Sequence, residues 1–163
     1  MSKPGVWFVG LFLLPIIVAF TALKLDWLPN ETTNHGAFLE FELRQPELVL
    51  DTEWTIAFQR PQQCDEQCQT MLQSLPNLYT ALGKNQHKVS LVVLQQPADA
   101  PIKNTQTVNL EIAKLKDNYL YLVDKTGLFV LEYAPSVKLD EAREVQKGLL
   151  KDIKKLLNYS RSS

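Results

Sequence analysis

The chain has 163 residues, 17 Lys and Arg against 18 Asp and Glu, and two cysteines. A composition 45% hydrophobic and 21% charged is that of a folding chain, and a net charge of -1 offers no basic footprint for nucleic acid. Two cysteines exclude a disulfide scaffold and an all-cysteine zinc site, and leave room for one pair.

The apolar residues are unevenly spread. From Gly5 to Leu23 the chain reads GVWFVGLFLLPIIVAFTAL, without a charge or a carboxamide. About 19 such residues, at ~1.5 Å each, span the ~30 Å hydrocarbon core of a bilayer. Lys3 and Lys24 bracket the run, and Trp7 and Trp27 fall near its ends, where indole favours the water–lipid interface. Pro15 in mid-span is tolerated in a membrane helix. A cleaved signal peptide is the competing reading. It lacks a small-x-small site, since Ala19 and Ala22 are three apart and Phe20 is bulky. The expectation is a transmembrane anchor over residues 1–25, a juxtamembrane linker and N-terminal extension over 26–50, and one folded domain over 51–163. A short N-terminus before a single span places that domain outside the cytoplasm. The sequons at Asn30 and Asn158 read as chance matches.

In the soluble part, residues 37–43 and 48–50 predict short extended pieces. Residues 54–58 (WTIAF) alternate as a strand does, and Pro61 ends them. From Glu66, Met71, Leu72, Leu75, Leu78, Tyr79 and Leu82 recur at helical steps up to Gly83, with Pro76 predicting a kink. Residues 89–94 (VSLVVL) form the near-continuous apolar run of a strand buried on both faces. A polar loop over residues 95–107 follows, then an alternation at Val108, Leu110 and Ile112. Residues 119–123 and 128–133 around the Asp124–Gly127 turn predict a β-hairpin. The chain closes with a helix over residues 139–158, Val145, Leu149, Leu150, Ile153, Leu156 and Leu157 making its apolar stripe and Lys151, Lys154 and Lys155 its wet side. This order gives an α/β domain.

Cys64 and Cys68, separated by Asp-Glu-Gln, lie after a predicted strand and at the start of a predicted helix. Free N–H groups and the positive dipole end stabilise a thiolate there, while Asp65 and Glu66 oppose that effect. Four-residue spacing suits either a disulfide or two ligands for a soft metal. No phosphate loop, H-E-x-x-H or G-x-S-x-G is present.

The string W-x-I-x-F…C-x-x-x-C, a helix, a buried strand and Y-L-V-D-x-x-G before an apolar strand resembles the Sco/SenC group of thioredoxin-like proteins, over roughly residues 52–158. The resemblance implies a thioredoxin-like central mixed sheet flanked by helices, carried by one N-terminal transmembrane helix in the bacterial inner membrane and facing the periplasm. It implies a role in cytochrome c oxidase biogenesis, with an oxidase subunit or its assembly factors as partner and copper(I) as the metal that Cys64 and Cys68 would hold. The departures are specific. Asp65 and Gln69 stand where the group typically has proline after each cysteine, and Lys116 stands at the position of its histidine copper ligand. His87, His35 and Met71 are weak substitutes. The expectation is therefore a dithiol/disulfide pair, with Cys64 as catalytic nucleophile and Cys68 as resolver, in a thiol–disulfide oxidoreductase. The alternatives are a copper(I) chaperone with a substitute third ligand and a scaffold whose disulfide is structural.

Overall fold

The computed structural model describes residues 3–24, 34–94, 102–110, 112–136 and 138–159. Trp27, the sequon at Asn30, Ser160 of the second sequon, most of the 26–34 linker and the first part of the 95–107 loop lie outside them. The chain divides into two compact units, Met1–Thr33 and Asn34–Ser163.

The first unit contains α1 (Lys3–Lys24), 22 residues with Pro15 inside. Its described side chains are exposed, among them Trp7, Leu11, Leu14, Ile16 and Phe20. Thr21 donates its hydroxyl to the carbonyls of Ile17 and Val18, each at 2.9 Å, so the helix satisfies its own polar side chain. Among the described residues alone, no helix reaches the length and hydropathy of a membrane span. In α1 the unbroken run of described side chains extends only from Leu11 to Thr21.

The second unit is built on one mixed sheet of β1 (Ala37–Phe38), β2 (Trp54–Gln59), β3 (Val89–Leu94), β4 (Gln106–Val108), β5 (Leu120–Asp124) and β6 (Phe129–Tyr133), in the order β1-β6-β5-β2-β3-β4. Two helices accompany it, α2 (Glu66–Ala81) and α3 (Leu139–Tyr159). β2 pairs in parallel with β3, Trp54 opposite Val89, and antiparallel with β5, Phe58 opposite Leu120. Both central strands are buried along nearly their whole length, β3 as its near-continuous apolar run requires and the alternating β2 because both faces of the sheet are covered. α2 runs through Pro76 without ending.

The two faces of the sheet are covered differently. Ile56, Phe58, Leu91, Val93, Leu120 and Leu122 pack beneath α2 and α3, whose Leu75, Leu78, Leu149 and Ile153 complete one core. On the other face Ala57, Val92, Tyr121 and Val123 meet Leu48, Ile112 and Leu115 from irregular chain. A register shift between Leu122 and Val123 turns Phe129 toward this second core. The N-terminal extension therefore packs as a lid rather than as strands. Beyond β1 it contributes a single bridge, Arg44 to Leu128, and a 3₁₀ turn at Pro46–Leu48. Gln45 also donates its N–H to the Gly127 carbonyl at 2.9 Å. Gly127 sits at φ 78°, and its Cβ would lie 2.2 Å from the Gln45 carbonyl oxygen, so this turn needs glycine on two counts.

One buried charge fastens the start of the domain. Asp152 of α3 is 2% exposed. Its Oδ2 accepts the N–H of His35 at 2.8 Å, the N–H of Gly36 at 3.0 Å and the hydroxyl of Tyr133 at 2.8 Å. Gly36 lies on the Tyr133 ring, which an added Cβ would meet at 2.6 Å. Asp152→Ala strands three donors at once, two of them buried, so chemical denaturation of the full chain in detergent should show it destabilised by about 3 kcal/mol, against about 1 kcal/mol for Tyr133→Phe.

Candidate functional site

The site begins where β2 ends. Arg60 extends the parallel pairing by one step, its N–H donating to the Leu94 carbonyl at 3.3 Å, and Pro61 then turns the chain toward Cys64. Asp65 adopts an extended backbone (φ -75°, ψ -176°) as the residue before α2, and its carboxylate accepts the Cys68 N–H at 2.8 Å. The Asp65 carbonyl accepts the Gln69 N–H at 3.0 Å. Cys64 and Cys68 are joined as a disulfide across this turn, their Cα atoms 5.2 Å apart. Cys68, in the first turn of α2, is fully buried and Cys64 is half-buried.

Across from them runs the chain that leads into β5. Gln59 donates its N–H to the Tyr119 carbonyl at 3.0 Å, and Asn118 donates its own to the Gln59 carbonyl at 2.9 Å. These bonds hold the two connecting loops face to face. Asn118 takes φ 66°, a left-handed conformation that asparagine tolerates. Between the loops opens a cleft of about 420 Å³ lined by Gln59, Pro61, Gln62, Gln63, Ile112, Ala113, Leu115 and Asp117. Gln59 was absent from the candidates because a polar residue at a strand end reads as a strand terminator. Only the sheet topology places it in the cleft wall.

Lys116 belongs to this loop, yet its side chain is engaged elsewhere. Its ammonium contacts Glu132 of β6 at 2.6 Å and lies 5.1 Å from the centre of the Tyr119 ring. The hydrogen bond to Glu132, helped by that residue's charge, raises the Lys116 pKa above its ordinary value against the opposing effect of burial. The Tyr121 hydroxyl accepts the Lys116 N–H at 2.8 Å and fixes the loop from below. Burial pushes the Tyr121 phenol up to about 12 despite that bond, with the Glu132 charge adding to the rise. At Tyr133, burial and then the Asp152 carboxylate raise the phenol in the same direction.

The substitute ligands are dispersed. Met71 is buried between the helices, its Sδ accepting from Gln146 at 3.6 Å and Ser74 at 3.7 Å. His35 lies over Gly148 of α3. His87 occupies the 3₁₀ turn Gly83–Lys88 that enters β3, and the parallel pairing of β2 with β3 puts it at the end of the sheet opposite Cys64. Among the described residues no three His, Cys, Asp or Glu side chains gather where they could hold a metal ion. Among the described residues the donor set around the pair thus offers two sulfurs and no third ligand, and a protonated lysine bound to a glutamate supplies none.

Residues 54–160 match a protein-family model described as "Transmembrane-like, thioredoxin-like, C-terminal domain". The chain belongs to this family. Its α/β fold with a mixed sheet is thioredoxin-like. Among solved structures it is similar to Bradyrhizobium japonicum ScoI with copper bound, at 17% identity and TM-score 0.41, covering 69% of this chain and 98% of that one. It is also similar to a SCO1/SenC family lipoprotein from Bacillus anthracis, at 13% identity and TM-score 0.47, covering 80% and 99%. Arabidopsis thaliana ScoI with copper bound matches at 16% identity and TM-score 0.43, covering 74% and 98%. No curated protein sequence matches the chain.

Two outcomes follow from these contacts. Lys116→Ala should leave the alkylation rate of reduced Cys64 within twofold of wild type, because its ammonium is committed to Glu132. In a spectrophotometric titration, Tyr121 and Tyr133 should still hold their protons where exposed phenols, near pH ~10, lose theirs. Unfolded phenols ionise there and these two do not, so their contribution to stability is intact below about pH 10 and is lost as the pH rises through the folded values.

Proposed function

We propose that the chain is a membrane-anchored thioredoxin-like accessory factor for cytochrome c oxidase biogenesis that works by thiol–disulfide exchange at Cys64 and Cys68. The observation that carries the reading is the bonded pair across the first turn of α2, Cys64 partly exposed and Cys68 buried. That asymmetry suits a nucleophile and a resolver. In the dithiol form the Cys64 thiolate attacks one sulfur of a partner disulfide, and the other partner sulfur leaves as a thiolate and takes up a proton. Cys68 then gives up its proton and attacks Cys64 Sγ, releasing the second partner thiol. Two electrons and two protons pass to the partner, and a thiol reductant on the same side of the membrane restores the dithiol. The motif resemblance to the Sco/SenC group points to the copper-ligand cysteines of an oxidase subunit as the partner groups kept reduced.

The anchor is α1. Residues 4–23 carry no charge, the helix is 22 residues long, and its hydroxyl is bonded within the helix. About 33 Å of helix covers a bilayer core. We assign residues 1–25 to the anchor, 26–50 to linker and extension, and 51–163 to the working domain, in the bacterial inner membrane and facing the periplasm. Copper(I) carriage by the same two cysteines ranks second for want of a third donor. It would require stoichiometric Cu(I) binding in an anaerobic titration, lost in Cys64→Ser.

In cells, the Cys64→Ser, Cys68→Ser double variant should lose at least tenfold in oxidase activity at unchanged protein level, and the pair should show a reduction potential above about -300 mV. Full oxidase activity in the double variant would leave only a scaffold, and a potential below that value would mark the bridge as structural.

A further inference from the structure

The first turn of α2 is closed twice, by two different bonds that meet at one residue. With Asp65 as the N-cap, Cys64 precedes the cap and Cys68 is the third helical residue. The disulfide ties the residue before the cap to this third position, and the Asp65 carboxylate accepts the N–H of that same Cys68 at 2.8 Å. In many helices a glutamate at the third position and an apolar contact around the cap close this turn. Here a cysteine occupies the third position and the covalent bridge replaces both devices. The bridge alone would leave the turn free to fray whenever it is reduced. The cap alone remains in either state.

We infer that Asp65 is a positioning residue that holds Cys64 and Cys68 at bonding distance in the dithiol form, so that reduction leaves the helix start in place. Three observations support it. The cap hydrogen bond is short and its backbone is extended, as an N-cap requires. The next amide, Gln69, donates to the Asp65 carbonyl at 3.0 Å, which closes the first helical bond on the same residue. Cys68 and Met71 are buried in the core cluster while Cys64 is only partly buried against it, so packing pins the Cys68 side of the turn more firmly than the Cys64 side, which leans on the cap. The inference rests on the exchange reading for its use, but the geometry it concerns exists whatever the partner.

The test is the equilibrium of the full chain in detergent with glutathione, in which one protein disulfide and two glutathione thiols give two cysteine thiols and one oxidised glutathione. The effective concentration of the pair should fall about fivefold in Asp65→Ala, the usual cost of losing an N-cap expressed as a ratio. Asp65→Ser and Asp65→Asn keep an acceptor and lose the charge, and should stay within twofold of wild type. Hydrogen exchange at the Gln69 amide gives the second reading. Reduced wild type and reduced Asp65→Ser should exchange within twofold of their oxidised forms, and reduced Asp65→Ala about fivefold faster than oxidised Asp65→Ala. The inference is overturned if Asp65→Ala matches wild type in effective concentration, or if Ser and Asn fall with Ala, which would make the effect one of charge. It is also overturned if the Gln69 amide of the reduced wild type already exchanges freely. None of these outcomes involves the oxidase, so failure of the functional reading is separately visible in the cysteine double variant.

Discussion

The central strand β2 is the constraint from which the site follows. It is bonded on both edges, in parallel to β3 and antiparallel to β5, and it is buried on both faces. Its position cannot shift by a residue without exchanging Ile56 and Phe58, which face the helices, for Ala57, which faces the extension. The antiparallel partner starts where β2 ends. The loop after β2 and the loop before β5 therefore meet, and the bonds of Gln59 with Tyr119 and Asn118 join them. The cysteine turn hangs from one side of that junction and the Lys116 turn from the other.

Electrostatics around the pair are arranged for order rather than for a highly charged thiolate. A helix start attracts negative charge, and here the Asp65 carboxylate already takes the N–H of Cys68. The nearby lysine is no counterweight, because Lys116 is bound to Glu132 and stacked on Tyr119. Such a site suits a pair that forms and reforms one bond in a fixed geometry. It suits a third metal ligand poorly, since the loop that would carry it is held by the Tyr121 hydroxyl and directs its side chain toward β6.

Asp152 illustrates a different kind of constraint. Burying a carboxylate is costly unless its oxygens are fully engaged. Two backbone N–H groups and one phenol, all on Oδ2, offset that cost, and in doing so they fasten the first residues of the domain to its last helix. The entry of the chain into the fold is thereby coupled to the packing of α3 on the sheet.

Elements with a strong local period were legible in the amino-acid order. β2, β3, the β5–β6 hairpin, α2 and α3 lie within one or two residues of their predicted bounds, because alternation, continuous apolar runs and i, i+3, i+4 spacing are set by burial of one face or two. The placement of Cys64 and Cys68 at a helix start was legible for the same reason. Residues 37–43 and 48–50 predict short extended pieces, and beyond β1 they prove mostly irregular, since their leucines serve as a cover for the second face and pair with little. Asp152 carries no local mark that separates it from the other charged residues of α3, and its three donors come from His35, Gly36 and Tyr133. The amino-acid order by itself thus determined which segments form the central strands and the helices, and that one cysteine pair sits at one helix start. Tertiary structure alone decided that Lys116 faces Glu132, that Gln59 walls the cleft and that Asp152 locks the entry, because each depends on partners 16 to 117 residues away that no local period records.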